Sequence, residues 1–307
     1  MRYLIVGYGN IGHKRQAALG RKCVATVDPN PKAGADYKNY REVPLGIFDT
    51  AVLTIPQQIK TELTEYFLRQ RKHVLVEKPL ITSPKDGKEL LALARKNKVI
   101  WYTSYNHRFE PNIQKIKTLI DKGFLGKLYH ARFIYSFGNI KERLGTWRET
   151  NFGVLEEIAP HQLDFVMNFF GYKGRDFKTL IARKVESDIF DHWLIVTTDK
   201  KVSIELSAVT WKNVFSIDIY GKRGSIHMNG LNKWGGSRLS VRTRVLPSGA
   251  PIEKNSQTSG PDLTWKKDFR YFERMVLLKK TSYENDLAVS QALATVIAGS
   301  SPKSKNT

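Results

Sequence analysis

Short apolar runs, all but the last closed by a glycine, a proline or an acid, alternate with amphipathic stretches over the first hundred residues. The runs at residues 2–6, 23–27, 50–55, 73–76 and 99–104 are too short for buried helices and rich in β-branched side chains, so they predict strands. Residues 13–19, 58–70 and 83–96 carry the helical period, and Ser83 with Asp86 three positions on reads as an N-cap and first turn. Strands separated by helices at this spacing predict a parallel, doubly wound sheet that ends near residue 110.

Beyond residue 127 the period changes from helical to alternating. Residues 128–136, 192–198, 202–211, 215–220 and 237–245 are rich in β-branched and aromatic side chains, with turn signals at Thr198-Asp199-Lys200-Lys201 and Gly221-Lys222-Arg223-Gly224. Helical patterns at 155–170, interrupted by Pro160, and at 262–278 and 285–298 accompany them, and 300–307 reads as a frayed tail. The predicted class is α/β: an N-terminal Rossmann doubly wound parallel sheet over residues 1–110, then an α+β domain with a large, mostly antiparallel open sheet over 111–307. The length of 307 residues suits two such domains. Val202, Ile204 and Leu206 alternate along one strand and are expected on the sheet face left open by the helices. A homodimer or homotetramer through the sheet of residues 190–245 is therefore expected.

Composition narrows the class further. Only Cys23 is present, so no disulfide and no cysteine-based metal site is available within the chain, and a reducing, cytoplasmic setting is expected. No apolar run reaches membrane-spanning length, and the first apolar stretch is already needed as a strand. The formal charge of +21 attracts polyanions, yet Lys and Arg are scattered and no nucleic-acid motif stands out. The expected partner is a small-molecule substrate, with anionic sugars or sugar nucleotides favoured by the charge, and no nucleic acid, membrane or metal.

The chemistry begins at Gly7-Tyr8-Gly9-Asn10-Ile11-Gly12, which follows the first strand and opens a helix. In this context the first glycine permits a tight turn, the second lets backbone approach a pyrophosphate, and the third lets helix and strand pack closely. Helix N–H groups meet the phosphate charge. The second strand ends at Asp28, where a carboxylate can take hydrogen bonds from an adenosine ribose. A carboxylate there repels a 2′-phosphate, so NAD is favoured over NADP, although Lys32 and Lys38 lie downstream. Thr54-Ile55-Pro56 and Glu77-Lys78-Pro79 close later strands and are expected at the same carboxyl edge, beside the cofactor.

Together with Tyr105-Asn106-His107-Arg108-Phe109, Trp147-Arg148, the 153–164 run Gly-Val-Leu-Glu-Glu-Ile-Ala-Pro-His-Gln-Leu-Asp and the segment 220–225, these motifs resemble the Gfo/Idh/MocA oxidoreductases. The resemblance implies a nicotinamide-dependent dehydrogenase or reductase in which the motif lysine, a histidine and an acid four residues before it act on a substrate hydroxyl. Mapped onto this chain they are Lys78, His161 and Glu157, with Asn106, Trp147 and Arg148 as substrate contacts. The chain departs from the family pattern in carrying glutamate rather than aspartate at 157, and in the reduced glycine run Asn151-Phe152-Gly153.

Independently of the resemblance, loss of a hydroxyl proton needs a base titrating near neutrality, which suits histidine, and a cation to meet developing oxygen charge, which suits Lys78. Glu157 and His161 are four apart and share a helix face. The reading is an NAD(P)-dependent oxidoreductase of a sugar, cyclitol or sugar nucleotide. Two alternatives remain open: a non-catalytic dinucleotide-binding sensor, and a redox-neutral sugar-modifying enzyme that uses NAD.

Overall fold

The computed structural model describes residues 1–138, 140–146, 149–150, 152–280 and 283–300, with the backbone alone for 143 and 283–286. The chain divides into two compact units: Met1–Asn106 with Leu263–Ser290, and His107–Asp262 with the chain from Gln291. The crossing near the expected boundary is followed by a return, so the first unit is made of two separated segments.

In the first unit β1 (Tyr3–Val6), β2 (Cys23–Val27), β3 (Thr50–Leu53), β4 (His73–Glu77) and β5 (Trp101–Ser104) form a five-stranded sheet in the order β2-β1-β3-β4-β5. Every pairing is parallel. These strands are mainly apolar and buried along most of their length because helices cover both faces, leaving little solvated side to alternate with. α1 (Asn10–Leu19), α2 (Gln57–Arg69) and α3 (Pro84–Asn97) supply the crossovers. Ser83 caps α3 as expected, its hydroxyl accepting from the Asp86 amide at 3.1 Å. Strand order reverses between β1 and β3, the switch point at which open α/β sheets bind ligands beyond their carboxyl ends.

The second unit includes α4 (Pro111–Asp121), whose apolar stripe is buried Ile113 and Ile116 continued by half-buried Leu119 and Ile120. Its sheet comprises β6 (Leu128–Ser136), β7 (Phe177–Arg183), β8 (His192–Thr197), β9 (Val202–Ser207), β10 (Val214–Gly221), β11 (Gly224–Asn229), β12 (Ser237–Thr243) and β13 (Ile252–Thr258). The order is β13-β12-β11-β10-β6-β9-β8-β7, antiparallel except for the β6–β9 pair. Between β6 and β7 runs α5 (Val154–Phe170), continuous through Pro160 rather than interrupted there. The proline withholds one N–H from the Glu156 carbonyl, and burial of the helix around it outweighs that single loss.

The alternation along β9 corrects one expectation. Val202, Ile204 and Leu206 are buried within the unit, on the inner face with Phe133, Phe215 and Ile217. The opposite face carries Ser203, Glu205, His130, Arg132, Asp218 and Tyr220 together with half-buried Ile134, Leu194 and Val196, so it is mixed rather than apolar. Any self-association through it would combine polar contacts with this smaller apolar patch.

α6 (Thr264–Leu278) belongs to the first unit, and α7 (Tyr283–Ala298) spans the point where the chain leaves it again. Phe269, Phe272 and Met275 of α6 join Tyr3, Ile5, Val52, Leu75 and Tyr102 in one core cluster, while α2 and α3 serve the other face of the sheet.

Candidate active site

Each glycine of the 7–12 turn has its own reason. Gly7 has φ +92°, and a Cβ there would lie 2.5 Å from the Thr54 carbonyl oxygen. At Gly12 a Cβ would lie 2.4 Å from the Gly7 carbonyl oxygen, because α1 begins hard against the turn. Gly9 has nothing within 4 Å of its would-be Cβ and is exposed, so space for a ligand adjoins the backbone at this residue. It is the N-cap of α1, with no side-chain cap and no acid in the first turn, and exposed Asn10 and half-buried Ile11 follow it. This is a cradle for a pyrophosphate, and the residues present fit a dinucleotide.

Asp28 closes the cradle's flank. One carboxylate oxygen accepts from the Tyr8 amide at 2.7 Å and the other from the Asn30 amide at 2.9 Å, which fixes the carboxylate beside the glycine turn. Across the switch point the Thr54 amide donates to the Val6 carbonyl at 2.9 Å and its hydroxyl donates to the Gly7 carbonyl. Buried Ile55 and exposed Pro56 lead from there into α2.

β4 delivers Glu77 and half-buried Lys78 to the same edge of the sheet. The Glu77 carboxylate accepts from Arg15 Nε at 2.6 Å and also from Nη2. Arg15 is wholly buried, and its Nη1 donates to Asp268 at 2.7 Å. Burial works against the Arg15 charge, but Glu77 and Asp268 outweigh it and raise its pKa. Ser104 and Tyr102 complete the network by donating to Asp268 at 2.7 and 2.6 Å. On the other side, Lys60 Nζ donates to the Glu77 and Pro79 carbonyls at 2.6 and 2.7 Å. Asn106, a candidate substrate contact, is buried and donates to Thr264 Oγ1 at 2.9 Å, a bond within this unit.

His161, 4 % exposed, projects from α5 in the second unit. Its ring stacks on His107 at a centroid distance of 3.9 Å and 15° between planes. His107 Nε2 lies 3.2 Å from Lys233 Nζ, which also donates to Tyr135 Oη at 3.1 Å. The Lys233 ammonium lies over the rings of Tyr135 and Trp234. Although Lys233 is exposed as a residue, its ammonium is partly desolvated among these rings, which lowers its pKa, opposed by Asp262, Glu110 and Glu157. Glu157, half-buried one turn before His161, thus acts electrostatically on Lys233. Two tethers hold the group in place. Arg108 Nε donates to the buried Asp164 at 2.6 Å, tying the turn after His107 to α5. Glu110 accepts from the Asn232 amide at 2.7 Å, fixing the turn that presents Lys233. Trp147 and Arg148 lie outside the described residues.

Lys60, Arg15, Lys233 and Tyr135 were not singled out by sequence reasoning. Lys60 leaves a signal: it occupies the first place of a buried stripe with Leu63, Thr64 and Phe67, at a helical spacing where a lysine is out of character. Arg15 does the same between Gly12 and Leu19. Lys233 stands in a turn and leaves none. Among the described residues no group of three or more His, Cys, Asp or Glu could hold a metal ion, and no helix is long and apolar enough to cross a membrane.

Residues 1–105 match the model of the oxidoreductase family with an NAD-binding Rossmann fold, and residues 113–227 match the GFO/IDH/MocA C-terminal domain. The chain is 25 % identical over 253 residues to the uncharacterized oxidoreductase YdgJ of Escherichia coli K12, covering 76 % of this chain and 72 % of that protein. Several other curated relatives align over only about half of their own length. Levoglucosan dehydrogenase in complex with NADH superposes with a TM-score of 0.83 at 16 % identity, covering 97 % of this chain and 96 % of that one. KijD10, a 3-ketoreductase from Actinomadura kijaniata in complex with NADP and TDP-benzene, does so at 0.80 and 17 % identity, covering 98 % of each. With both family models matched in chain order over most of its length, the chain belongs to the GFO/IDH/MocA family of oxidoreductases.

Proposed function

We propose that the protein moves hydride between a nicotinamide dinucleotide, NAD in preference to NADP, and a hydroxyl or keto carbon of a sugar, cyclitol or sugar nucleotide. The observation that carries the reading is the turn at Gly9, open for a phosphate, with the Asp28 carboxylate fixed beside it. The bound nicotinamide supplies or takes up the hydride. His161 takes the hydroxyl proton as general base, Lys78 stabilises charge developing on the oxygen, and Glu157, one turn before His161, orients the polar groups around the imidazole. The fold neighbours agree in kind: one is named for a sugar-derived substrate and bound to NADH, another is a ketoreductase holding NADP and a TDP compound. Self-association, proposed as a homodimer or a tetramer of dimers, uses the mixed outer face of the second sheet. A single cysteine suits the cytoplasm.

The test is a titration of the purified protein with NADH and NADPH, followed by absorbance assays with neutral and acidic sugars, cyclitols and nucleotide sugars. NADH should bind tighter than NADPH, and at least one substrate should change nicotinamide absorbance. Lys78→Ala should keep NADH binding and lose turnover by a factor on the order of 10². Failure to bind either dinucleotide, or sugar conversion with no net absorbance change, refutes the dehydrogenase reading.

A further inference from the structure

Lys60 is the most deeply buried lysine side chain described above, 3 % exposed on the inward stripe of α2. Burying an ammonium is costly, and in an ordinary core position an apolar residue would serve better. What Lys60 meets explains its presence. Its Nζ donates to the carbonyl of Glu77 and to that of Pro79, the residues on either side of Lys78. At the start of the same helix, Gln57 donates to the Ile81 carbonyl at 2.6 Å and accepts from the Ile81 amide at 3.2 Å. The backbone from 77 to 81 is thus gripped at four polar atoms by two side chains of α2, while Arg15 holds the Glu77 carboxylate from the opposite element. None of these bonds uses the Lys78 side chain.

We propose that Lys60 is a positioning residue for Lys78: by tying down the carbonyls on both sides of it, Lys60 sets where the Lys78 ammonium is presented. The chemistry of the amine suits the task. Burial brings Lys60 down to about 7, with Glu77 pulling it up and the Lys78 charge pushing it down. A neutral amine has two N–H bonds, and two carbonyls are there to receive them. The grip therefore persists whether or not Lys60 is charged, and no second permanent cation is needed beside Lys78. The functional weight of the inference rests on the proposed role of Lys78, but the geometry it asserts does not.

The experiment separates the two. Lysines of the whole protein are acetylated competitively at low reagent concentration, without cofactor or substrate, and the rate at Lys78 is read by mass spectrometry against exposed Lys14 and Lys88. Lys60→Met keeps an unbranched stem, one atom shorter, and removes the donors. Lys60→Gln has the reach of methionine and keeps two N–H bonds on one nitrogen. The expected result is a change of fivefold or more in the relative rate at Lys78 in K60M and a return to within twofold of the parent in K60Q. Equal Lys78 rates in K60M and the parent overturn the proposal, even if K60M is less stable, since a merely structural lysine would behave that way. Should K60M not fold, K60Q decides: a Lys78 rate more than threefold from the parent overturns it. Once a substrate is in hand, turnover should fall about tenfold in K60M and recover in K60Q, with NADH affinity unchanged in both. If K78A turns over normally, the role given to Lys78 fails while the labelling result still stands for Lys60.

Discussion

Replacing Arg15 with methionine tests the charge network at the heart of the first unit. Methionine retains an unbranched apolar stem but removes the guanidinium, which lies 4.6 and 4.9 Å from the ring centroids of Trp265 and Phe269, so some packing goes with the charge. What is lost is the counter-charge of two buried carboxylates. The Asp268 side chain is fully buried and that of Glu77 is 11 % exposed. Removing one partner of a buried ion pair costs about 3–5 kcal/mol. The orphaned site can escape by holding a proton, at a cost of about 1.4 kcal/mol per pH unit above the ordinary carboxyl value of about 3.9. One such proton costs about 4 kcal/mol at pH 7 and about 1.5 kcal/mol at pH 5. In the variant the folded state binds the extra proton, so its stability is retained at low pH and lost as pH rises. Cys23, alone of its kind and placed on β2, reports on this unit specifically. Equilibrium urea unfolding at pH 5 and pH 7, read by a short thiol-labelling pulse at a common pH, gives both free energies. A loss below about 1 kcal/mol at pH 7, or the same loss at both pH values, would refute the account of Arg15 as the neutralising centre.

Three further outcomes follow from the same geometry. Gly9→Ala should leave stability within about 1 kcal/mol, since the added methyl meets nothing, yet weaken NADH binding at least tenfold, whereas Gly12→Ala should cost about 1–3 kcal/mol against the Gly7 carbonyl; isothermal titration and urea midpoints distinguish them. Asp28→Ser with an added neighbouring arginine should move preference towards NADPH, and should also loosen the glycine turn because the Tyr8 amide loses its acceptor, a change visible in amide exchange; a parent that already prefers NADPH contradicts this. Lys60, at about 7 in the folded chain against about 10.4 unfolded, binds fewer protons folded than unfolded between those values, so its contribution makes stability rise with pH across that window, and urea midpoints of K60M should lack that rise.

The first sheet was legible because its strands are apolar on both faces and its glycine turn is tied to a fixed backbone geometry. The second was legible only where one face is buried. β13, with the sequence Ile-Glu-Lys-Asn-Ser-Gln-Thr, is exposed along most of its length and is a strand by virtue of its ladder to β12, which no local pattern announces. β7 lies at the other edge and was missed for the same reason. β9 was found, but its inward and outward faces were exchanged, since alternation gives two faces without saying which one a helix covers. At the site, His161 and Lys78 were visible through motifs. Lys233 and Tyr135 come next to His107 only through strand pairing and a turn far along the chain, and Asp268 reaches Arg15 across 253 positions.

That last span bears on how the protein is made. By the time Ser104 leaves the ribosome, all five strands of the nucleotide-binding sheet have been synthesised, yet Arg15 still lacks one of its two carboxylates and the sheet lacks the aromatic ridge of α6. At roughly 5–20 residues per second, Asp268 follows on the order of 10–30 s later, after all eight strands of the second sheet have been translated. For that interval the nascent sheet has an apolar face and an arginine awaiting burial, and only the returning helix can close both. The sheet begun first is thus closed only after every strand of the second sheet has been made, and its charge network is a product of the late return of the chain rather than of the segment that contains the glycine turn.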